Sequence, residues 1–196
     1  MKDTIIPIFS DFLYHTTLDI DENNLERYLK NITFDNNNRV RSNCGGYQTN
    51  DLELDDTILF LFNEIEHHLH KTAQNIGFKR KLKLYNFWLN VNNHKDYNTP
   101  HRHPKSLMSG VFYIKVPENS GRIKFINPNG ALIDSYLGYF HFEVGKDYSP
   151  TTILSHGWNV VPEKNDLILF PPWLEHLVEP NNSNEERISI SFNYGV

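Results

Sequence analysis

The sequence lacks the features that mark several large classes of protein. Cys44 is the only cysteine among the 196 residues, which excludes an intrachain disulfide and a thiolate-rich metal site. No apolar run reaches the roughly 18 residues that a membrane-spanning helix needs, and the first residues do not have the pattern of a signal peptide. We therefore expect a cytoplasmic protein with no membrane partner, in which any metal is held by imidazole and oxygen ligands.

Concentrated positive charge is missing as well. Nineteen lysine and arginine residues stand against 24 aspartate and glutamate residues, and the formal net charge is −5. Nucleic-acid binding needs a basic face that neutralises phosphates, so nucleic acid is disfavoured as the primary ligand. The length and the 39% hydrophobic content suit a folded domain with a sizeable core.

Helical signals are confined to the first 80 residues. A short helix is predicted from Asp21, with acidic residues in its first turn, where the helix dipole favours them. A longer helix is predicted over roughly 55–76, with an apolar face at helical spacing, Asp55 at its start and Gly77 at its end. The asparagine- and glycine-rich stretch 33–50 is predicted as loop.

Short strands follow, separated by turns rich in proline, asparagine and glycine. They are predicted over residues 82–91, 111–114, 123–125, around 153–161, 167–170 and 188–192. This spacing is typical of a sandwich or jelly roll, so the expected fold class is mainly β with N-terminal helices. We predict a single domain over residues 1–196, with a helical N-terminal decoration over about 1–80 and a metal-binding jelly-roll core over about 82–196.

Three histidines in the predicted β region form a candidate metal site. His101 and His103 share a face if their segment is extended, and Pro104 favours that conformation for His103. His176 is predicted far downstream, in a strand that continues through Leu177 and Val178. Mononuclear iron sites commonly use two histidines and one carboxylate, and His103 stands where the carboxylate would be. We predict a three-histidine site with iron as the expected metal and zinc or manganese as alternatives.

The neighbouring acids are poor substitutes for the third ligand. Glu175 is adjacent to His176 and should point to the opposite face of that strand, and Asp96 could reach the site only if its loop folded back. Each histidine signal also has an ordinary structural explanation, because His-x-His pairs are common at surfaces and a strand histidine can be capped by a backbone carbonyl.

Arg187 and Ser189 lie on one face of the last predicted strand, together with Ser191 and Asn193. We expect this strand to fold back onto the strand that carries His176, with Arg187 and Ser189 opposite that histidine. A guanidinium holds a carboxylate through two parallel charge-assisted hydrogen bonds, which makes Arg187 a candidate anion clamp beside the metal. The same pattern is also the ordinary polar face of an exposed strand.

Further residues are candidates for the wall of this pocket. Tyr113 is on the strand after the histidine pair and could turn its hydroxyl to the same carboxylate, although tyrosine in a β-core more often serves packing. Asn86, Trp88 and Asn90 share one face of the preceding strand, opposite a face that contains Tyr85, and could line the pocket.

The remaining histidines are given no functional role. Glu64 and His67 match half of a di-iron carboxylate motif, but the second Glu-x-x-His that this chemistry requires is absent. We interpret the histidines of the long helix as a solvated face: His67, His68 and His70. Three more histidines are left unassigned: His94, His141 and His156.

At these residues the sequence resembles a family of 2-oxoglutarate- and iron(II)-dependent oxygenases that is common in bacteria and in tailed phages of marine hosts. The matching segments cover roughly residues 82–196 in the right order, and the first 80 residues match only loosely. These segments are 86–92, 101–106, 109–113, 120–125, 170–176 and 187–193. The resemblance implies a double-stranded β-helix, a cupin-like jelly roll, with the metal between its two sheets.

The resemblance also implies roles for individual residues. His101 and His176 are similar to the iron ligands of the family. Arg187 and Ser189 are similar to the residues that hold the distal carboxylate of 2-oxoglutarate. Tyr113 is similar to the tyrosine that assists them in the prolyl hydroxylase branch.

Two positions depart from related sequences. The broad superfamily has aspartate or glutamate where this chain has His103, and a neutral imidazole there raises the net charge at the metal by one. Asn165 stands where related sequences tend to have glycine, and asparagine is the next-best residue for a left-handed turn.

The sequence therefore predicts an enzyme, a hydroxylase-type oxygenase with iron(II) and 2-oxoglutarate as cofactors and an unidentified prime substrate. One alternative is a three-histidine iron oxygenase that does not use 2-oxoglutarate, with Arg187 gripping the substrate's own carboxylate. Another is a non-catalytic, phage-associated or structural jelly-roll protein whose histidines hold a metal such as zinc. The expected location is the cytoplasm of a bacterial cell or of a phage-infected host, and the oligomeric state is left open, with a homodimer as one option.

Overall fold

Two facing antiparallel sheets form the centre of the structure, a computed structural model that describes residues 11–32, 39–132, 135 and 157–196. The helices are α1 (Glu22–Asn31) and α2 (Leu59–Asn75). The strands are β1 (Tyr14–Thr17), β2 (Asn43–Cys44), β3 (Tyr47–Gln48), β4 (Lys83–Asn92), β5 (Tyr97–His101), β6 (Met108–Lys115), β7 (Ile123–Ile126), β8 (Gly157–Val160), β9 (Asp166–Phe170), β10 (His176–Val178) and β11 (Arg187–Gly195).

The chain passes repeatedly from one sheet to the other. The larger sheet has the strand order β1-β9-β6-β11-β4-β3, and the smaller sheet has the order β2-β5-β10-β7-β8. From β4 to β7, and again from β8 to β11, successive strands belong to different sheets, as in a jelly roll. The predicted fold class, mainly β with N-terminal helices, is confirmed. Part of the strand predicted around 153–161 lies outside the described residues, since β8 begins at Gly157.

Alternation along the strands of the larger sheet builds two hydrophobic clusters. On β6, Phe112 and Ile114 face the helices, whereas Val111 and Tyr113 face the smaller sheet. The first cluster packs the outer face of the larger sheet against α1 and α2, and the second fills the space between the sheets. Strand β9 is buried along its whole length, because one of its faces contributes to each cluster. The larger sheet is therefore held rigidly from both sides.

The two predicted helices are present, with one shifted boundary. The side chain of Asp21 accepts a hydrogen bond from the Asn23 N–H at 2.9 Å and caps α1 as expected. Helix α2 begins at Leu59 rather than near residue 55, because Asp55 instead accepts from the Thr57 N–H and closes a separate turn. Among the described residues, neither helix has the length and apolar character needed to span a bilayer.

The prediction that residues 33–50 are loop is wrong for two short strands. Residues 33–38 lie outside the described part of the chain, but β2 pairs with β5 and β3 pairs with β4. Gly45 and Gly46, at φ of +70° and +67°, form the turn between them, and a side chain at Gly46 would meet the Val91 carbonyl. Two-residue strands have no periodicity that a sequence could reveal, since they form only against an existing sheet edge. The division of the chain near residue 80 stays a prediction.

Candidate metal centre and anion pocket

A cavity of about 640 Å³ lies between the two sheets. Strands β4, β6 and β11 of the larger sheet form one wall, and β5, β10 and their adjoining loops form the other. All the residues that the sequence proposed for a site line this cavity: His101, His103, His176, Arg187, Ser189, Tyr113, Asn86, Trp88 and Asn90. The fold thus brings together residues that are up to about a hundred positions apart in the chain, while their individual roles stay predictions.

The smaller sheet and one loop place the three histidines. His101 is the last residue of β5, His176 is the first residue of β10, and the two are direct partners in the antiparallel pairing. His103 lies just beyond β5, where its backbone N–H donates to the Pro172 carbonyl at 2.9 Å. The candidate ligand atoms of the three side chains all lie within 4.8 Å of one another. They form a group that could hold a metal ion.

Backbone carbonyls determine which ring nitrogen of His101 and His176 faces the cavity. Nδ1 of His101 lies 2.7 Å from the Thr99 carbonyl oxygen, and Nδ1 of His176 lies 3.0 Å from the Leu174 carbonyl oxygen. A carbonyl only accepts hydrogen bonds, so each Nδ1 carries the hydrogen and each Nε2 keeps its lone pair. Neutral Nε2 atoms in this arrangement are suitable metal ligands, because the hydrogen bond at the other nitrogen also fixes the ring orientation.

A side-chain amide does the same for His103. Nδ1 of His103 lies 2.7 Å from Oδ1 of Asn193, which also accepts from the Ser109 hydroxyl at 2.7 Å. Nδ2 of Asn193 donates to Oδ1 of Asn86 at 2.9 Å, and Nδ2 of Asn86 donates to the Asp51 carboxylate at 3.2 Å. Since a carboxylate only accepts, this chain of hydrogen bonds fixes the orientation of both amides. His103 is therefore also a donor at Nδ1, with Nε2 left as the ligand atom.

Burial keeps all three imidazoles neutral. Burial is the main reason that the pKa of His103 falls to about 4 and the pKa of His176 falls well below its ordinary value, and His101 contributes to both shifts. Burial also lowers the pKa of His101. A neutral imidazole can donate its lone pair to a metal, so the centre is ready to bind an ion at neutral pH.

Neither neighbouring acid reaches the histidines. Glu175, just before β10, forms an ion pair with Arg102 at 3.0 Å and is not among the residues that line the cavity. Asp96 accepts from the Asn93 N–H at 2.7 Å and packs against the turn at Gly45. Among the described residues, the one group that offers three or more ligands to a metal is the histidine triad, and it contains no carboxylate.

Arg187 is a buried cation with an unused donor. Only 1% of its surface is exposed, and its Nη1 donates to the carbonyl oxygens of Ser120 and Glu179. Its Nη2 is buried and has no hydrogen-bond partner among the described residues. Burial lowers the pKa of Arg187, which the adjacent Tyr113 partly offsets. A guanidinium buried in this state is costly unless an anion completes its hydrogen bonds.

The predicted position of the arginine strand relative to His176 is wrong. Strand β11 does not pair with the strand that carries His176 but with β4 and β6, in the other sheet. The turn before Arg187 carries the chain across the sandwich rather than back along the same sheet. Arg187 and Ser189 consequently line the cavity from the wall opposite His176.

The other predicted lining residues lie on the strands beside β11. Ser189 pairs with Tyr113 on β6 and with Asn90 on β4, so the three form one row across the larger sheet. Burial raises the pKa of Tyr113 to about 12, and its hydroxyl therefore stays protonated. The Trp88 ring lies 5.8 Å from the His103 ring between centroids.

Tyr85 departs from the alternation predicted for β4. Tyr85 is 63% exposed because a bulge in the pairing of β4 with β11 leaves it without a partner between Leu84 and Asn86. A bulge adds one residue to a strand and reverses the facing of the residues beyond it. Asn86, Trp88 and Asn90 keep the predicted alternation because they all lie on one side of the bulge.

The helix histidines are less solvated than predicted. Nδ1 of His68 forms a hydrogen bond with the Tyr14 hydroxyl at 2.6 Å. Nε2 of His70 lies 3.0 Å from the Leu82 carbonyl oxygen. Only His67 is exposed. His94 bonds to the Ser183 carbonyl at 2.9 Å, and the two unassigned histidines further on, His141 and His156, lie outside the described residues.

Several cavity residues were not identified from the sequence. The sequence places Asn193 on the same face of its strand as Arg187, so its position beside the cavity could be predicted. Its bond to His103 could not, because that bond depends on a loop whose path the sequence does not reveal. The basic residues Arg39 and Arg41 come from the stretch predicted as loop, and nothing in their spacing points to the cavity. Lys105, two residues after His103, was part of a matching segment without a role.

Comparison with known families identifies one match. A family model described as "Putative 2OG-Fe(II) oxygenase" matches residues 86–193, more than half of the chain. The matched region contains all nine of the predicted site residues. No curated protein sequence matches the chain.

Solved structures share the fold at low sequence identity. The viral collagen prolyl hydroxylase of Paramecium Bursaria Chlorella virus-1, solved as a 2-oxoglutarate complex, is 15% identical with a TM-score of 0.57, over 93% of this chain and 97% of that chain. HygX from Streptomyces hygroscopicus, with nickel and 2-oxoglutarate bound, is 11% identical with a TM-score of 0.61, over 93% and 82%. An oxidoreductase of the 2OG-Fe(II) oxygenase family from Burkholderia pseudomallei is 12% identical with a TM-score of 0.50, and this chain spans 60% of its length.

Proposed function

Because the chain belongs to the 2OG-Fe(II) oxygenase family, whose members are enzymes that use iron(II) and 2-oxoglutarate, we propose that it is a hydroxylase with a three-histidine iron centre. His101, His103 and His176 hold the metal through Nε2. Arg187 and Ser189 hold the distal carboxylate of 2-oxoglutarate, with Tyr113 beside them. Iron with 2-oxoglutarate supplies the oxygen-activating chemistry, in which the cosubstrate is decarboxylated to succinate while a C–H bond of the prime substrate is hydroxylated.

The observation that carries the proposal is the unpartnered Nη2 of Arg187. A buried arginine usually has its donors satisfied, but Nη2 of Arg187 has no partner among the described residues, and Arg187 lines the cavity on the wall opposite the three histidines. A dicarboxylate that reaches from the metal to this wall would satisfy it through a charge-assisted hydrogen bond. The neutral hydroxyl of Tyr113 can donate to the same carboxylate, since burial raises its pKa to about 12.

The protein's own residues orient the reactants and exclude water. The carbonyls of Thr99 and Leu174 and the amide of Asn193 hold the three imidazoles in one tautomer and orientation. The two sheets enclose the reacting groups in a cavity, where electrostatic contacts are stronger than in water. Because His103 replaces a carboxylate, the divalent ion and the dianionic cosubstrate together are neutral, one unit more positive than with a two-histidine, one-carboxylate set.

Two observations favour this proposal over the two alternative functions. A three-histidine oxygenase that does not use 2-oxoglutarate would share the histidines, but the matched family is described by its use of 2-oxoglutarate. A non-catalytic structural protein would leave the free donor of Arg187 without a use.

An anaerobic titration tests the proposal. Adding 2-oxoglutarate to the iron(II)-loaded protein should produce a visible metal-to-ligand charge-transfer band that saturates at one equivalent per chain. Arg187→Gln should raise the apparent Kd of 2-oxoglutarate by roughly 10- to 100-fold, because it removes hydrogen bonds to a charged group. Arg187→Lys keeps the positive charge but loses the paired N–H donors of the guanidinium, so its apparent Kd for 2-oxoglutarate should lie between those of the wild type and Arg187→Gln.

The matched control is Arg122→Gln. Arg122 is an exposed arginine that pairs with Glu179 outside the cavity, so this variant should bind 2-oxoglutarate like the wild type. Circular dichroism of each variant excludes unfolding as the cause of a loss. The proposal fails if the wild-type protein binds iron(II) but gives no charge-transfer band at saturating 2-oxoglutarate.

A further inference from the structure

The charge on the cavity wall differs in sign from the charge of the whole protein. The chain has a formal net charge of −5, yet among the described residues the cavity is lined by five cationic side chains and a single carboxylate. The carboxylate is Asp51. The cations are Arg39, Arg41, Arg102, Lys105 and Arg187. A cleft lined by one sign of charge attracts ligands of the other sign.

Three of the five cations already have a partner or a role. Arg39 forms an ion pair with Asp51 and lies over the Trp88 ring at 5.8 Å, and Arg102 forms an ion pair with Glu175. Arg187 is assigned to 2-oxoglutarate in the proposed function. The cosubstrate therefore accounts for only one of the cations on the wall.

Arg41 and Lys105 remain without an acidic partner among the described residues. Both side chains are exposed, so each can move to meet a ligand. A single anionic group placed between them would receive charge-assisted hydrogen bonds from both.

Backbone and side-chain hydrogen bonds connect the segments that contain Arg41 and Lys105 to the segment that contains the histidines. The carbonyl of Ser42, next to Arg41, accepts from the Thr99 N–H at 2.8 Å, and Thr99 is two residues before His101. On the other side, the Ser106 hydroxyl donates to the His103 carbonyl at 2.8 Å and closes a tight turn around Lys105. Lys105 itself has a φ of +70°, in the left-handed region that a non-glycine residue seldom adopts. Arg41 thus lies just before β2, which pairs alongside β5, and Lys105 lies four residues beyond the end of β5.

We propose that the prime substrate carries a carboxylate or phosphate group, which Arg41 and Lys105 hold at the rim of the cavity. The inference rests on the proposed function, since it assigns to the prime substrate the cations that 2-oxoglutarate leaves unused. The anionic group anchors the substrate by one end and leaves its remaining part to extend toward the metal. Asparagine side chains on the wall, such as Asn92 and Asn98, provide further hydrogen bonds to a polar substrate.

Inorganic phosphate and acetate are the probes that test this binding site. Protein loaded with manganese(II), with metal occupancy checked by electron paramagnetic resonance, is saturated with 2-oxoglutarate so that the Arg187 side is filled. The bound paramagnetic ion then enhances the relaxation of the ³¹P nucleus of phosphate, or of the methyl protons of acetate, when either anion binds near it. The concentration dependence of each probe's own relaxation enhancement gives its Kd. A lower Kd for phosphate indicates a phosphorylated substrate, and a lower Kd for acetate indicates a carboxylic acid.

Two double variants with the same change of charge make the test specific. Arg41→Gln/Lys105→Gln should raise the Kd of the better probe at least tenfold. Lys79→Gln/Arg80→Gln removes two exposed cations outside the cavity and should leave that Kd unchanged. The inference is overturned if neither anion shows relaxation enhancement in the wild type, or if both double variants bind the probe equally. If the wild-type protein gives the charge-transfer band with iron(II) and 2-oxoglutarate but binds neither probe, only this inference is refuted. If the band is absent, the proposed function is refuted.

Discussion

The amide oxygen of Asn193 accepts a hydrogen bond from Nδ1 of His103 and so fixes the orientation of its ring, as backbone carbonyls do for His101 and His176. A backbone carbonyl is present whatever the sequence, but Oδ1 of Asn193 is a side-chain atom that a single substitution removes. The third imidazole is thus the one whose orientation depends on a specific residue. Through Asn86 this bond connects to the carboxylate of Asp51 at the cavity wall, so a negative charge lies three hydrogen bonds from the imidazole that replaces the carboxylate ligand.

We expect Asn193→Leu to weaken metal binding. The substitution removes the acceptor at Nδ1 of His103, and loss of such a partner typically lowers metal affinity about 10- to 100-fold. Isothermal titration of the metal-free protein with cobalt(II), together with the visible spectrum of the bound ion, measures the affinity and the ligand field.

Ser109→Ala is the control for this substitution. It removes the other donor to the same oxygen of Asn193 and leaves the bond to His103 intact. Cobalt affinity should stay within about threefold of the wild type, well inside the loss expected for a broken ligand support. Equal losses in the two variants would mean that the amide affects the site only through packing.

Burial of His103 also makes the metal-free protein sensitive to acid. The pKa of His103 is about 4 in the folded protein, against an ordinary value of 6.5. Between these values the unfolded chain binds more protons than the folded one, so the free energy of unfolding falls as the pH falls. From about pH 7.5 to about pH 5, this one residue should cost about 2 kcal/mol.

Urea unfolding of the metal-free protein at the two pH values measures this loss. In His103→Asn, the pH-dependent loss should be smaller by about 2 kcal/mol. A wild-type protein whose unfolding free energy does not fall over this range would show that His103 is not buried as a neutral base.

At the scale of elements, strand β6 connects the helix-packed core to the cavity. Gly110 lies where the strand passes closest to its neighbours, since a Cβ there would lie 2.5 Å from the Phe192 ring and 2.8 Å from Cδ2 of Leu169. The larger sheet therefore has no room for a side chain at this position.

Gly110→Ala should destabilise the protein by about 1–3 kcal/mol, the usual cost of overpacking a core. Gly195→Ala, in a position where a Cβ meets nothing within 4 Å, should change the free energy of unfolding by less than about 0.5 kcal/mol. Urea unfolding at neutral pH compares the two. Equal stability of Gly110→Ala and the wild type would contradict the packing described for β6.

Elements with a strong periodic signal were predictable, and elements that depend on a partner were not. The apolar stripe of α2 and the alternation of β4 appear directly in the sequence, as does the left-handed turn at Asn165, whose φ is +68°. Strands β2 and β3 form only because an edge of each sheet is available to them. The wrong partner for β11 has the same origin, since a short turn is compatible with a hairpin and with a crossing between sheets.

At the scale of the whole molecule, the two sheets divide the chemistry between them. The smaller sheet and its loop provide the histidines, and the larger sheet provides Arg187 and the polar row beside it. A sequence pattern can identify the members of each set, because each set follows the alternation of its own strand. The distance between the sets depends on how the sheets pack, which is a tertiary property.

One crystal structure tests the central claim most directly: the wild-type protein, grown without oxygen, with iron(II) and 2-oxoglutarate. The account predicts iron bonded to Nε2 of His101, His103 and His176, with the distal carboxylate of 2-oxoglutarate bound to Nη2 of Arg187. A structure in which His103 is turned away from the iron, or in which the distal carboxylate lies away from Arg187, would contradict it.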